Sequence, residues 1–367
     1  MSALDAMYMA KAIILAKSVR HLTRANPRVG CILVRDGDVI GAGATQPPGG
    51  PHAEIVALNS CPDARGATAY VTLEPCSHTG RTPPCVDALI KAAVIRVVVA
   101  CVDPNPKVNG AGLERLRSAG IRVDIGVLES QARALNPGFN RRMRGGLPFV
   151  RLKLAMSLDG ATAMANGQSK WITGPMARRQ VQRMRARAGA VITGVGTVVA
   201  DNPSLNVRWD ETDLDPGPLL PSDQPLRVVM DRSGRTPLDA QLFKIPGPVM
   251  IISQSASGPT QQAWADCGAQ VVMLTAVTPA TVLAELADAG VNEVMVEAGP
   301  TLAGAWMDAG LVDRLVVFQA PLLMGSQTRP LMHTPNWTEL SDAVRLQLIE
   351  SRAIGTDRCL EYSVEKA

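Results

Sequence analysis

Four residues in the first third of the chain, three metal-ligand types and one carboxylate, have the spacing of a catalytic metal site. His52 is followed two positions later by Glu54, and Cys76 and Cys85 come downstream. One imidazole and two thiolates give zinc three protein ligands and leave its fourth tetrahedral position to water, as in catalytic zinc sites. Zinc lowers the pKa of that water to about 7, so that hydroxide is available at neutral pH. Glu54 can accept the water's proton, deliver it to a ring nitrogen and finally protonate a departing amine.

This pattern follows the chemistry of zinc nucleobase deaminases, which pair H-x-E with P-C-x-x-C. Here eight residues separate the two cysteines instead of two, so the generic signature is not met as written. A structural zinc with Cys61 or His78 as its fourth ligand is the alternative. Because a structural site has no use for Glu54, we predict one catalytic Zn²⁺ per chain.

Longer motifs are far more specific than H-x-E alone. The chain resembles the bifunctional riboflavin-biosynthesis deaminase-reductases in five of them. These are Cys-Ser-His-Thr-Gly-Arg-Thr-Pro-Pro-Cys at 76–85, Asn-Pro-Arg-Val-Gly at 26–30, Asp-Pro-Asn-Pro-Lys-Val-Asn-Gly at 103–110, Lys-Leu-Ala-Met-Ser-Leu-Asp-Gly at 153–160 and Glu-Ala-Gly-Pro-Thr-Leu at 297–302. The resemblance spans nearly the whole chain, and the long cysteine spacing is a feature of that family.

The resemblance implies an α/β protein that joins an N-terminal cytidine-deaminase-like domain to a C-terminal dihydrofolate-reductase-like domain. The first, residues 1–145, would be a zinc-dependent hydrolase acting on the 2-amino group of 2,5-diamino-6-(5-phosphoribosylamino)pyrimidin-4(3H)-one. The second, residues 146–367, would be an oxidoreductase that uses NADPH to reduce the ribosyl chain of the resulting uracil. The product would be 5-amino-6-(5-phosphoribitylamino)uracil.

Five residues of the first half are candidate substrate contacts. Asn26 can offer an amide donor and acceptor to a pyrimidine edge, or it can stabilise the turn before the next proline. His78 and Arg81 lie in the loop between the cysteines, where Arg81 suits a phosphate. Asp103 and Asn105 follow a predicted strand and can bond the base or ribose, although both types are also ordinary turn residues before proline.

In the second half, the candidate catalytic residue is Lys153, and the candidate cofactor-binding element is a glycine turn. Lys153, on the first strand of this half, can polarise or protonate an open-chain imine or aldehyde during hydride transfer. A structural cation bonded to a carboxylate such as Asp159 is the alternative. Residues 294–302 predict a strand, a glycine turn and a helix start, whose backbone N–H groups can cradle a pyrophosphate. The alternative is that this glycine turn only connects the strand to the helix.

Family positions imply further contacts in this half. Arg185 and Arg208 match residues that hold the substrate's phosphate and ribose. The other substrate contacts implied are Ser169, Leu205 and Glu297. The residues that the resemblance places beside the cofactor are Ala155, Trp171, Thr197, Asp201, Arg232, Gly299, Pro300, Thr301 and Leu302. Arg232 stands where a smaller residue is expected, and an arginine there could pair with the 2′-phosphate of NADP.

Short apolar runs between turn residues predict alternating strands and helices in both halves. After a first amphipathic helix, the predicted strands are 29–35, 39–44, 68–73, 95–102, 121–126, 149–156, 190–193, 227–230, 249–252, 270–274 and 293–297, with a β-rich tail from 314. The predicted helices are 52–59, 84–93, 112–119, 176–188, 280–289 and 302–309. Residues 140–148 combine arginines, glycines and a proline, and we place the domain boundary there.

Composition narrows the possible partners. The 367 residues carry a net charge of +4 and only 5 Trp, 3 Tyr and 4 Phe. Such a small positive surplus and so few stacking rings argue against a nucleic-acid deaminase. Glu54, Lys153 and Glu297 together argue against a structural zinc domain joined to a non-enzymatic nucleotide sensor. We expect a cytoplasmic homo-oligomer with a small phosphorylated pyrimidine substrate and without nucleic-acid or membrane partners.

Overall fold

The computed structural model describes residues 2–78, 83–106, 108–220, 222–335 and 338–365. The chain divides into two compact units, Met1–Leu147 and Pro148–Ala367. This division falls two residues after the boundary that we placed at 145/146. Within the described residues, no helix combines the length and the apolar character that a membrane span requires.

The first unit alternates helices and strands. Its elements are α1 (Ala3–Ser18), β1 (Gly30–Arg35), β2 (Asp38–Ala44), α2 (Ala53–Asn59), β3 (Thr68–Val71), α3 (Cys85–Lys91), β4 (Arg96–Val99), α4 (Ala111–Ser118), β5 (Arg122–Ile125), α5 (Glu129–Arg133) and α6 (Pro137–Arg142).

One five-stranded sheet, in the order β2-β1-β3-β4-β5, forms the centre of the first unit. Strand β1 is antiparallel to both of its neighbours, and β3, β4 and β5 are parallel. Helix α1 packs closely on β1 at Gly30, which has no side chain. A Cβ at this position would lie only 2.0 Å from the Ala12 carbonyl oxygen. A capping box between Ser2 and Asp5 starts this helix, which satisfies otherwise unpaired N–H groups.

This topology brings three loops to one edge of the sheet. Parallel strands β3 and β4 end at the same edge, so the loops 72–78 and 100–110 emerge side by side. Strand β1 runs antiparallel to β3, so residues 26–29, which precede it, reach that edge as well. The candidate residues of the first half therefore converge through the strand directions alone.

The second unit is built around a larger sheet. Its elements are β6 (Phe149–Met156), β7 (Ala161–Met164), α7 (Pro175–Arg187), β8 (Ala190–Gly194), α8 (Val195–Asp201), the 3-10 helix Trp209–Glu211, β9 (Leu226–Asp231), α9 (Gln241–Lys244), β10 (Val249–Ser253), α10 (Gly258–Asp266), β11 (Gln270–Met273), α11 (Pro279–Asp288), β12 (Glu293–Glu297), α12 (Pro300–Asp308), β13 (Arg314–Gln319), β14 (Thr328–Pro330), the 3-10 helix Leu340–Asp342, β15 (Leu346–Ile354) and β16 (Asp357–Val364).

The nine-stranded sheet of this unit has the order β11-β10-β9-β8-β12-β6-β13-β16-β15. The seven strands from β11 to β13 are parallel, and the hairpin of β16 and β15 is added antiparallel at one side. In parallel α/β sheets, ligands bind outside the carboxyl ends of the strands. We therefore expect a ligand site at the carboxyl ends of β6, β12, β8 and β9.

Candidate functional site

His52, Cys76 and Cys85 come together in the first unit. His52 is the N-cap of α2, Cys85 is the first residue of α3, and Cys76 lies in the loop that follows β3. The Nδ1 atom of His52 lies 3.6 Å from the Sγ of Cys76 and 3.3 Å from the Sγ of Cys85. The backbone N–H of Cys85 donates to the Sγ of Cys76 at 3.3 Å.

This geometry fits zinc. With Zn–N at about 2.0–2.1 Å and Zn–S at about 2.3 Å, tetrahedral coordination separates the nitrogen and sulfur ligands by about 3.6 Å. Both observed separations lie close to that value. A hydrogen bond from Cys85 and the neighbouring His52 lower the pKa of Cys76, which favours the thiolate that zinc binds. Among the described residues, the cluster of metal-ligating atoms includes neither Cys61 nor His78.

Glu54 lies beside this cluster without belonging to it. It occupies the first turn of α2 and is only 3% exposed. Burial raises the pKa of Glu54 to about 7, and the nearby Cys76 and His52 shift it in opposite directions. Helix α2 thus places the Glu54 carboxyl group next to the ligand atoms, because Glu54 lies in the first turn after the N-cap residue His52.

The predicted substrate contacts of the first unit lie in the loops at this edge. Asn26 lies in a turn, where its backbone N–H donates to the Thr23 carbonyl at 2.8 Å; the role of its side chain stays a prediction. His78 is exposed, two residues after Cys76. Arg81 lies outside the described residues.

Asp103 is buried in the loop after β4. Its Oδ1 accepts the N–H of Asn105 at 2.8 Å, which is the turn that an Asp before proline was expected to form. Burial raises the pKa of Asp103 to about 6, with Glu74 and Cys76 raising it and His78 lowering it. Asp103 is therefore electrostatically coupled to residues of the metal cluster.

Glu74 is a buried carboxylate that our sequence analysis missed. It is 3% exposed and accepts three backbone N–H groups, from Asp103 at 3.2 Å, Gly110 at 2.9 Å and Gly112 at 3.0 Å. It thereby joins the loop that carries Cys76 to the loop that carries Asp103. A carboxylate immediately before the Pro-Cys pair was the only signal in the sequence, and its partners lie 29 to 38 residues further along the chain, beyond α3 and β4.

A cavity of about 1020 Å³ opens at the carboxyl ends of the parallel strands in the second unit. Every residue that the sequence analysis singled out in this half as a catalytic, substrate or cofactor residue lines it. These are Lys153, Ala155, Ser169, Trp171, Arg185, Thr197, Asp201, Leu205, Arg208, Arg232, Glu297, Gly299, Pro300, Thr301 and Leu302. The cavity also includes residues that we did not single out, among them Ser233 and Arg235.

Lys153 faces Glu297 across two neighbouring strands. The two residues are register partners of β6 and β12. Burial lowers the pKa of Lys153. Burial alone would raise the pKa of Glu297, but Arg185 and Lys153 bring it below its ordinary value. Glu297 accepts Arg185 Nε at 2.6 Å and Nη2 at 3.0 Å, a bidentate pair that fixes the carboxylate beside the lysine.

The alternative partner of Lys153, Asp159, is engaged elsewhere. Its carboxylate accepts the hydroxyl of Ser157 and the backbone N–H groups of Met324 and Gly325. In the described parts of the chain, no hydrogen bond or ion pair joins Asp159 to Lys153. The carboxylate that acts on Lys153 is that of Glu297.

The N-terminus of α12 is open toward the cavity. Gly299 is its N-cap, and no side chain caps the first turn. A Cβ at Gly299 would meet only the Thr197 hydroxyl, at 3.9 Å. The first N–H groups of this helix are therefore accessible to an anion, as a bound pyrophosphate requires. Together with the cavity of about 1020 Å³, this arrangement fits a dinucleotide cofactor.

Comparisons with known proteins match each of the two units to a family. Residues 2–101 match the family model "Cytidine and deoxycytidylate deaminase zinc-binding region", and residues 148–360 match the RibD C-terminal domain. The chain is 46% identical to the riboflavin biosynthesis protein RibD of Escherichia coli, over 97% of this chain and 98% of that protein. It is 45% identical to RibD of Haemophilus influenzae, over 99% of this chain and 98% of that protein.

Solved structures give the same result over the whole chain. RibD of Acinetobacter baumannii superposes with a TM-score of 0.89 at 43% identity, covering 99% of both chains. A Thermotoga maritima diaminohydroxyphosphoribosylaminopyrimidine deaminase/5-amino-6-(5-phosphoribosylamino)uracil reductase superposes with a TM-score of 0.85 at 31% identity, covering 98% of this chain and 99% of that one.

A zinc-binding deaminase region followed by a RibD C-terminal domain defines a bifunctional deaminase-reductase. The chain belongs to the RibD family of riboflavin biosynthesis proteins. The fold class predicted from the sequence is therefore confirmed, as are the two enzyme classes, a hydrolase and an oxidoreductase. The predicted cofactors are confirmed as well: the deaminase domain binds zinc, and the reductase domain depends on NADPH.

Proposed function

We propose that the first unit hydrolyses the 2-amino group of 2,5-diamino-6-(5-phosphoribosylamino)pyrimidin-4(3H)-one. The second unit then reduces the ribosyl chain of the deaminated product with NADPH, which gives 5-amino-6-(5-phosphoribitylamino)uracil. The observation that carries the proposal is the presence, in one chain, of a His/Cys/Cys cluster with a buried carboxyl beside it in the first unit and of a large cavity in the second. The name of the Thermotoga maritima relative supports the choice of substrate.

In the first unit, Glu54 transfers the protons that the deamination requires. Zinc held by His52, Cys76 and Cys85 supplies the Lewis acidity that makes water nucleophilic at neutral pH. Glu54 accepts a proton from the attacking water and passes it to a ring nitrogen. It then takes the proton of the hydroxyl added to the ring carbon and transfers it to the amino group, which leaves as ammonia while the ring carbon becomes a carbonyl. We assign substrate binding to Asn26, His78, Arg81, Asp103 and Asn105.

In the second unit, Lys153 holds the proton that accompanies reduction. The cavity residues that include Trp171, Thr197 and the turn 299–302 would hold NADPH, which would supply the hydride for reduction of the open-chain imine or aldehyde. Lys153 protonates the nitrogen or oxygen of that acceptor, and Glu297 keeps the ammonium oriented. The burial that lowers the pKa of Lys153 makes its proton easier to donate. The substrate is held by Arg208, Ser169 and Leu205. Arg185 binds the Glu297 carboxylate in the same cavity.

The test separates the two reactions by following ammonia release and NADPH loss independently. We expect Glu54→Gln to keep its zinc and to lose about 10²–10⁴-fold in deamination, the range for removal of a positioned acid and base. Reduction of substrate that is already deaminated should continue at the unmodified rate. Glu114→Gln, which removes an exposed carboxylate of the same unit, is the control.

Two results would contradict this assignment. Loss of zinc from Glu54→Gln would make the residue a structural part of the metal site. Near-normal ammonia release from a zinc-loaded Glu54→Gln protein would move the acid–base role to another residue.

We also propose that the protein is a cytoplasmic homo-oligomer that has no nucleic-acid partner. Strand β15 supports association, because it is the outer strand of its sheet and eight of its nine residues are exposed. Open strand edges favour pairing with another chain. None of the seven cysteines, all of which lie in the described residues, forms a disulfide, which suits a reducing compartment. A molar mass of one chain in light scattering would contradict the oligomer.

A further inference from the structure

We propose that Gln182 binds the phosphate of the reductase substrate through its side-chain NH₂ group, next to Arg208. This inference rests on the proposed reductase function and deepens it, because it adds a neutral donor to the residues assigned to the substrate. Gln182 lies in the middle of helix α7, lines the cavity of the second unit and is only 2% exposed. None of the sequence motifs described above includes it.

One hydrogen bond fixes the orientation of the Gln182 amide. Its Oε1 accepts the backbone N–H of Arg208 at 3.0 Å. Because a backbone N–H can only donate, the amide oxygen faces Arg208 and the NH₂ group points away from that bond.

The NH₂ group of Gln182 is left to a ligand. Among the described residues, no group accepts a hydrogen bond from it. Within the same residues, its nitrogen is not one of the enclosed polar atoms that lack a partner, so it stays open to the cavity that Gln182 lines. Since buried polar groups are as a rule hydrogen-bonded, an acceptor on a bound molecule is the partner that this donor lacks.

The neighbouring arginine on the same face of α7 is held by the protein itself. Arg185 lies three residues after Gln182 and also lines the cavity, a spacing that puts both on one face of a helix. Its Nε and Nη2 donate to Glu297, and its Nη1 donates to the Asn206 carbonyl at 2.9 Å. All three of its nitrogens are thus engaged, whereas Gln182 uses only its oxygen.

The loop that carries Arg208 is fixed before any ligand binds. The Val207 N–H donates to the Oε1 of the buried Gln224 at 2.7 Å, and the next N–H, that of Arg208, donates to Gln182. A preformed site loses little entropy on binding. The amide of Gln182 and the backbone of Arg208 therefore keep a set relation to each other.

A phosphate is the acceptor that fits this pair. It is dianionic and offers several oxygens, so that a guanidinium and a neutral N–H can bond it together, and such charge-assisted bonds are strong. The cavity lining carries more basic than acidic side chains, which favours an anionic group. We assign this phosphate to the substrate, because Gln182 is bonded to Arg208, whereas the open N-terminus of α12 suits the pyrophosphate of the cofactor.

The experiment compares kcat/KM of the full-length, zinc-loaded protein for the deaminated substrate and for its dephosphorylated analogue. Gln182→Glu is the main variant, because one carboxylate oxygen still accepts the Arg208 N–H while the other replaces the donor by an anion. We expect kcat/KM for the phosphorylated substrate to fall about 10- to 100-fold, and that for the analogue to change by less than about twofold. The Kd for NADPH should not change.

Gln182→Met keeps the test valid if a buried carboxylate unfolds the protein, which thermal unfolding detects. It retains the length of the side chain without donor or acceptor, and it is measured in the Arg208→Ala background as well. We expect the double variant to have a kcat/KM for the phosphorylated substrate about fivefold or more below that of Arg208→Ala alone. An equal value would mean that Gln182 acts only by holding Arg208, and the proposed contact would be wrong.

Gln270→Glu is the matched control. It makes the same substitution at an exposed position of β11 in the same unit, and Gln270 does not line the cavity. We expect both kcat/KM values to equal those of the unmodified protein. If Gln270→Glu lowered kcat/KM for the phosphorylated substrate as much as Gln182→Glu, general repulsion would explain the loss and the inference would fail.

Three results for a folded Gln182→Glu protein overturn the inference and leave the reductase function intact. One is an equal loss for both substrates, which would make Gln182 a structural residue. Another is an unchanged kcat/KM for the phosphorylated substrate. The third is a raised Kd for NADPH, which would assign the residue to the cofactor. If the unmodified protein reduced neither substrate, the proposed reductase function would fail, and the inference with it.

Discussion

Two arginines of the second-unit cavity differ in how firmly their own carboxylates hold them. The Arg185–Glu297 pair is bidentate and buried, with side chains 10% and 14% exposed. The Arg208–Glu211 pair is separated by three residues and is 39% and 42% exposed. Breaking a buried pair leaves a charge unpaired and costs about 3–5 kcal/mol, whereas exposed pairs contribute only about 0–1 kcal/mol. We therefore expect Arg208 to exchange its carboxylate partner for a substrate phosphate more readily than Arg185 would exchange Glu297.

We expect Arg208→Ala to raise the KM for the deaminated substrate at least about tenfold, because a charge-assisted contact to phosphate is lost. The Kd for NADPH should not change, since the open N-terminus of α12 remains. Glu211→Gln is the matched variant, because it releases Arg208 without removing it, and its KM should stay equal or fall. Steady-state kinetics and NADPH fluorescence make the measurements. A raised NADPH Kd with an unchanged KM in Arg208→Ala would assign this arginine to the cofactor.

At the scale of elements, the deaminase site depends on loops that the sheet brings to one edge. The loops after β3 and β4 carry Cys76 and Asp103, respectively. Glu74 connects them through three backbone N–H groups. Buried carboxylates with several N–H donors are well satisfied, so this contact fixes the position of the loop after β4 relative to the loop that carries Cys76.

We expect Glu74→Gln to keep zinc but to lower deamination, because an amide NH₂ cannot accept the N–H groups that now face it. The free energy of unfolding should fall by about 1–3 kcal/mol, the cost of buried unsatisfied groups. Hydrogen exchange should become faster at the amides of Asp103, Gly110 and Gly112. Glu129→Gln, on the exposed face of α5, is the control. Unchanged exchange at all three amides in Glu74→Gln would show that the loop holds its shape without this carboxylate.

At the scale of the whole molecule, each unit has its own apolar interior. One buried cluster of the first unit runs from Tyr8 to Phe139 along the chain. Two clusters of the second unit include Trp264 and Phe318, respectively. The metal-ligating cluster belongs to the first unit and the cavity to the second. A unit with its own core can in general fold alone.

A fragment that begins at Gly146 should therefore fold independently and bind NADPH with the affinity of the full chain. It should reduce the deaminated substrate in the presence of a zinc chelator, because His52, Cys76 and Cys85 are absent from it. Urea unfolding, NADPH fluorescence and NADPH consumption measure the three properties. A fragment that unfolds without cooperativity, or that binds NADPH only when zinc is added, would contradict the independence of the two units.

Most strands and helices could be predicted from the sequence because their signals are local. The strands 149–156 and 293–297 occur where the apolar runs predict them, since turn residues bound both runs. Helix α8 was missed, because Val195, Thr197, Val198 and Val199 are β-branched and favour strands. Helix α10 was missed as well, because it begins with Gly258 and Pro259, which usually mark a turn. In both segments the tertiary environment overrides local preference.

The sequence by itself determined which residues could bind zinc, because ligand type and spacing are chemical facts of the chain. It also determined the two α/β halves through the period of apolar residues. Only the tertiary structure decided which groups meet. Glu74 finds its partners between 29 and 38 residues away, and Glu297 lies 112 residues from Arg185. Such pairs leave no local pattern, because strand order and register create them after the sheet has formed.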